Sequence, residues 1–199
     1  MRVAVYHTDS PARFCAGGRR VNKLAALALV LVFGSSVLSG TAPAQTPNEY
    51  EVKAAFLFNF VKFIEWPAEA FGDDSAPLVI GVIGQDPFGS RLDQIVSGKS
   101  ANGRQLLVRR FKWGEDVRAC HVLFTSSSEG KHLSQIIASL RGAAVLTVGD
   151  MDEFIQRGGG INFITEASKM RFEINAAVAA QARLKISSKL LALAKTVRT

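Results

Sequence analysis

The chain has 199 residues, is 48% hydrophobic and carries a formal net charge of +7. Residues 1–44 hold five of the 24 Lys and Arg residues but one of the 17 Asp and Glu residues, so residues 45–199 carry only +3. That is too little to indicate a nucleic-acid partner, and 155 residues fit one domain with a proper core.

The N-terminal segment reads as a secretory signal. Arg13, Arg19, Arg20 and Lys23 form a basic region, and Leu24–Leu38 is an uncharged, mostly apolar run. Ala42-Pro43-Ala44 supplies the small residues of a cleavage site, with Gln45 as the first mature residue. The alternative is an uncleaved anchor, but the run is shorter than the roughly 20 residues that a spanning helix needs. Val21 would give a leader of ordinary length if it were the true start. Cys15 leaves with the leader, so Cys120 is the one remaining cysteine and has no internal disulfide partner. Burial is its expected state, because free cysteine is among the most buried residue types.

The mature chain opens with a predicted helix over residues 48–65, stopped by Pro67. Val52, Phe56, Phe60 and Phe63 form one stripe, with Leu57, Val61 and Ile64 beside it. Together they cover about half the circumference, more than an ordinary surface helix buries. Phe58 falls outside them, on the side of Lys62. Leu78–Ile83 is a β-branched run and predicts a buried strand. Asp86 and Pro87 are placed to start a helix that ends near Gly98. Strands are expected over residues 103–113, 121–126 and 143–150. A helix capped by Ser127 or Ser128 lies between the last two, and a short helix over 151–159 follows them. Residues 161–175 alternate in and out as a hairpin turning at Glu166-Ala167-Ser168. The stretch over 176–197 reads as helical, with Ser187 or Ser188 able to cap a second piece. The predicted fold is a three-layer α/β sandwich. Its mainly parallel, Rossmann-like sheet is closed by the C-terminal antiparallel hairpin.

No catalytic, cofactor or metal site emerges. Gly81, Gly84 and Gly89 occupy a strand-to-helix turn, but their spacing matches neither phosphate-loop pattern. Asp86 would compete with a phosphate for the same N–H groups. Gly158-Gly159-Gly160 precede a strand and read as a turn. Cys120 and His121 are neighbours on a strand and point to opposite faces, so they cannot form a nucleophile pair. Two histidines and one cysteine without an acidic cluster are a poor metal site. Ser126, Ser127 and Ser128 lack a nucleophile-elbow frame. Lys169, Arg171 and Glu173 share a strand face that is most simply solvated.

What is left over is aromatic surface. Phe58, Trp66 and Phe71 exceed what one core of this size requires, and with Lys62 they are the candidate dimer or partner surface. The alternative is that the three aromatics pack under the chain's own C-terminal helix.

Six ordered blocks then carry a resemblance: "EYEVKAAFLFNFVKFIEWP", "LVIGVIGQDPFG", "CHVLFTSSSE", "VLTVGD", "GGGINFITEASKMRFEIN" and "LKISSKLLALAK". They resemble the YfiR family of periplasmic proteins, a likeness that covers essentially all of residues 49–197. The resemblance implies a homodimeric repressor. It would bind the periplasmic sensor domain of a membrane-bound diguanylate cyclase, lowering cyclic di-GMP and biofilm formation. It also implies a response to envelope redox state. The redox-sensing member uses paired cysteines, however, and this chain keeps only Cys120. The block "KMRFEIN" makes Lys169, Arg171 and Glu173 the candidate polar face for a ligand or partner. Two alternatives stay open: an accessory subunit of an envelope histidine kinase, and a periplasmic protein binding a small molecule at the C-terminal ends of the parallel strands.

Overall fold

The computed structural model describes residues 48–199. The signal segment and its cleavage residues Ala42, Ala44 and Gln45 lie outside them. In chain order the elements are α1 (Asn48–Phe60), β1 (Ile64–Glu65), β2 (Leu78–Ile83), α2 (Ser90–Val96), β3 (Ser100–Ala101), β4 (Arg104–Phe111), β5 (Val122–Thr125) and α3 (Leu133–Ser139). They continue with β6 (Leu146–Gly149), β7 (Ile161–Glu166), β8 (Lys169–Asn175), α4 (Ala176–Gln181), β9 (Lys185–Ile186), α5 (Ser188–Leu193) and β10 (Thr196–Arg198).

The main sheet has the strand order β10-β8-β7-β6-β5-β2-β4-β3. Pairing is parallel from β4 through β2, β5 and β6 to β7, and antiparallel within the β7–β8 hairpin and between β3 and β4. The central strands are apolar on both sides because both sides are covered. Ile80, Val82, Val122, Phe124, Leu146 and Val148 belong to one core. Their chain neighbours Ile83, Leu123 and Val145 belong to a second. Successive strand residues face opposite ways, so the two cores lie on opposite faces of the sheet. Helices α1 and α2 contribute Leu57, Phe60, Leu92 and Val96 to the first, and α3 contributes Ile136 to the second.

Helix α1 is chiefly a core element. Phe60 stacks on Phe163 at 5.7 Å and meets Phe172 edge-on at 5.2 Å, while Phe56, one turn earlier, lies 5.9 and 5.7 Å from the same two rings. Each such pair is worth about 0.5–1.5 kcal/mol beyond its area. This cluster docks the helix onto the hairpin.

Three predicted elements end differently. First, α1 stops at Phe60, five residues before the expected end. Phe63 and Ile64 keep helical spacing, yet Ile64–Glu65 pair antiparallel with Lys185–Ile186, and Ser187 donates its backbone N–H to the Phe63 carbonyl. A tertiary ladder overrides local periodicity there. Second, residues 151–159 form turns rather than a helix. Their hub is Phe154, which is fully buried. A Cβ on Gly159 would sit 2.1 Å from its ring, and one on Gly149 would sit 2.5 Å away. Third, the C-terminal stretch is not one helix. Ser187 caps α5, as one of the two expected serines, but the chain then forms β10, which runs parallel to β8. The hairpin therefore does not close the sheet; β10 lies outside it.

Candidate functional site

The main sheet starts at β2, adds the β3–β4 hairpin on one side, then crosses back to place β5 on the other. Reversal of strand order creates a crevice at the carboxyl ends of β2 and β5. The loops leaving those strands meet there. Gly84 turns with φ of 91°, and a Cβ on it would lie 2.5 Å from Ser128 Oγ. The Gln85 backbone N–H donates to that hydroxyl at 2.9 Å. A cleft of about 440 Å³ results, lined by Tyr50, Gln85, Asp86, Pro87 and Ser126 to Ser128.

The acidic groups beside this cleft are already engaged. Asp86 does not cap α2 directly; it accepts from the Phe88 N–H at 2.8 Å and from Arg110 Nε at 2.9 Å. Arg110 also grips Asp93 through both terminal nitrogens. That contact holds the Asp93 carboxyl below its usual range and raises the guanidinium further. Between α1 and the loop after β6, Lys53 is buried and pairs with Asp150 at 2.8 Å and Glu49 at 2.7 Å. Burial pulls its pKa down, but the hydrogen bonds to Asp150 and Glu49 outweigh burial and leave it above the ordinary lysine value. The Tyr50 hydroxyl is raised by burial and by its hydrogen-bonded neighbour Asp150. Removing one partner of a buried pair costs roughly 3–5 kcal/mol. Lys53 lies in an otherwise apolar stretch of α1, and its one signal in the sequence is Glu49, a turn earlier.

The candidate partner surface resolves into two clusters. Phe58 is half-buried, with the Lys62 and Lys99 ammonium groups over its ring at 3.9 and 4.6 Å. Trp66 and Phe71, also half-buried, converge on His121. Trp66 Nε1 donates to the His121 carbonyl at 3.2 Å, and Phe71 stacks on the imidazole at 4.4 Å. The Arg104 guanidinium lies over Phe71 at 3.7 Å and donates to the carbonyls of Asp73, Asp74 and Ala76. Sequence reading did not connect His121 and Arg104 with these aromatics. His121 Nδ1 accepts from the Val79 N–H, so Nε2 carries the proton and donates to the Ala70 carbonyl. Burial, together with Arg104, pushes this imidazole below its usual pKa.

On β8, Lys169 and Arg171 are exposed and Glu173 is half-buried. Glu173 pairs in register with Asn162 on one side and Thr196 on the other. The structure does not bring this face together with Phe58, Trp66 or Phe71 through any hydrogen bond or ring contact among the described residues. Cys120 is buried, its thiol donating to the Val117 carbonyl at 3.1 Å, and burial pushes it up to about 12. Among the described residues no group of His, Cys, Asp and Glu is placed to hold a metal ion, and no helix is long and apolar enough to cross a membrane.

A mixed α/β domain with a mostly parallel central sheet is the class of protein these features define. The chain belongs to the YfiR/HmsC-like family (DUF4154), whose sequence profile matches residues 50–195. This is a family of regulatory proteins of the periplasm, associated with cyclic di-GMP signalling, and no catalytic family is indicated. No curated protein shows significant similarity. Among solved structures, a conserved domain protein from Vibrio cholerae O1 biovar El Tor strain N16961 aligns with a TM-score of 0.50 and 13% identity, over 75% of this chain and 60% of that one. The ABC domain of Streptococcus pneumonia in complex with L-Trp aligns at 0.46 and 11% identity, over 60% of this chain and 55% of that one. This chain thus spans less than two thirds of either structure. At such identity, the Vibrio likeness bears on the fold alone.

Proposed function

We propose that this protein is a periplasmic repressor that binds the periplasmic sensor domain of a membrane-bound diguanylate cyclase and lowers cyclic di-GMP. The observation that carries this reading is the family match across residues 50–195. The secretory leader read over residues 1–44 supports delivery to the compartment where such a sensor domain lies. Half-buried aromatics under cationic groups, at Phe58 and at Trp66–Phe71, support a contact surface, because aromatic and Arg side chains are enriched at interfaces. Lys169, Arg171 and Glu173 offer a polar rim to the same partner or to the second subunit of a homodimer.

The test is the cyclic di-GMP level in the native host with the gene intact and deleted. A rise on deletion, reversed by the exported protein but not by one lacking residues 1–44, is the expected result. No change on deletion would defeat the cyclase assignment and favour a kinase-type envelope sensor as partner or a ligand-binding role.

A further inference from the structure

A cavity of about 460 Å³ lies at the amino ends of β6 and β7, the opposite end of the sheet from the crevice between β2 and β5. Three pieces of chain wall it. Helix α3 ends at Ser139, and the chain turns through Gly142 into β6. The loop after β6 returns alongside through Arg157 and Gly158 before β7 begins. Helix α4 supplies the third wall with Val178 and Gln181. The volume falls within the roughly 300–1,000 Å³ of small-molecule sites.

The lining has two halves. Ile137, Leu140, Val145 and Val178 are apolar, and Leu140 and Val145 belong to the second core. The other half carries Arg141 and Arg157, with no Asp or Glu among its described lining residues. Arg157 is half-buried and held in place, its Nη2 donating to the Gly130 carbonyl at 2.8 Å. That contact uses one of the five N–H groups of a guanidinium. Arg141 is exposed, and its side chain has no hydrogen-bond or ion-pair partner among the described residues. A third guanidinium, that of Arg183, reaches the Gly142 carbonyl beside the rim at 3.4 Å. Elsewhere the cations are neutralised: Arg110 pairs with Asp86 and Asp93, and Lys53 with Glu49 and Asp150. Positive charge left without a counter-ion beside an apolar hollow favours an anion, and the planar fork of a guanidinium fits a carboxylate in particular. The apolar half then asks for a carbon body on that carboxylate, since burial of apolar surface is favourable.

We infer that this cavity binds a small amphipathic organic carboxylate, its carboxyl group held by Arg141 and Arg157 while its apolar body lies against Ile137 and Val178. The site is independent of the cyclase assignment and engages none of the aromatic clusters proposed for the partner.

The probe is sodium octanoate, titrated calorimetrically into the purified protein. Octylammonium chloride has the same chain with the opposite charge, and sodium acetate has the same charge without the chain; both serve as controls at matched ionic strength. Saturable binding and a raised melting temperature with octanoate alone are expected. Arg141→Gln and Arg157→Gln should each weaken affinity by about tenfold or more, the loss of a hydrogen bond to a charged group. Arg141 is exposed, so its variant tests the site even where Arg157→Gln fails to fold. Absence of saturable octanoate binding overturns the inference. So does equal affinity for octylammonium or for acetate, or unchanged affinity in the Arg141 variant. None of these results touches the repressor reading, which stands on cyclic di-GMP levels.

Discussion

His121 occupies the centre of the aromatic cluster as a neutral imidazole of fixed tautomer. Protonation would place a second donor against the Val79 N–H and break a hydrogen bond worth about 1 kcal/mol. Its folded pKa lies below the ordinary 6.5, so on acidification the unfolded chain takes up the proton first. This contribution to stability is complete above that ordinary value and is lost as pH falls toward the folded pKa. Thermal melts between about pH 7 and about pH 5 should show the loss. His121→Gln, which keeps an acceptor and a donor but cannot be protonated there, should flatten the slope; an unchanged slope would place the titration elsewhere. Cys120 makes an opposite case: its pKa of about 12 and its burial keep it a thiol at neutral pH. Iodoacetamide followed by mass spectrometry should label it only under denaturing conditions. Rapid labelling of the folded protein would show that the second core opens.

At the scale of elements, the β7–β8 hairpin turns on Ala167 and Ser168, with φ of 47° and 61°. Both angles are left-handed and suit Asn-Gly far better than Ala-Ser. Ala167→Asn with Ser168→Gly should therefore raise stability by about 0.5–1 kcal/mol, read as a shifted denaturation midpoint at constant slope. The same chemistry explains a missed hairpin. Asn102-Gly103, with φ of 52° and 78°, joins β3 to β4 and was legible as a turn signal. The Asn102 amide also donates to the carbonyls of Val61 and Ile64, securing the chain where α1 has ended. No reading of α1 alone could supply that partner, forty residues away. Strand β2 was legible to the residue because its apolar run is bounded by Pro77 and Gly84. β10 was not: Leu190, Leu193, Ala194 and Val197 keep helical spacing, and only pairing with Glu173 to Asn175 makes residues 196–198 a strand.

Taken whole, the molecule surrounds a mostly parallel sheet with two cores, leaving its distinctive chemistry at the strand ends and on α1. The surplus aromatics were legible as a count, but what holds them was not, since His121, Arg104 and Lys99 come from other elements. Phe58 decides between core and contact. Two ammonium groups already lie over it, so Phe58→Glu exchanges cation–π contact for ion pairs and should leave a cooperative thermal transition. It is expected to cost no more than about 1.5–3 kcal/mol. The variant should lose self-association by light scattering, and repression with it; loss of the thermal transition instead would make Phe58 a core residue.

The ring of Phe154 between Gly149 and Gly159 has a consequence for divergence within the family. A benzyl group at 154 and a Cβ at either glycine cannot share that space. Positions 149 and 154 are therefore free to drift only together, while a Cβ at 159 would also lie 2.7 Å from the Phe154 carbonyl oxygen, which keeps that position glycine whatever stands at 154. Aligned relatives should divide into two sets, one with Gly and Phe at positions 149 and 154 and one in which a smaller residue at 154 accompanies a side chain at 149, both keeping Gly at 159. A third set, keeping the aromatic while filling a glycine, would need a differently routed loop between β6 and β7.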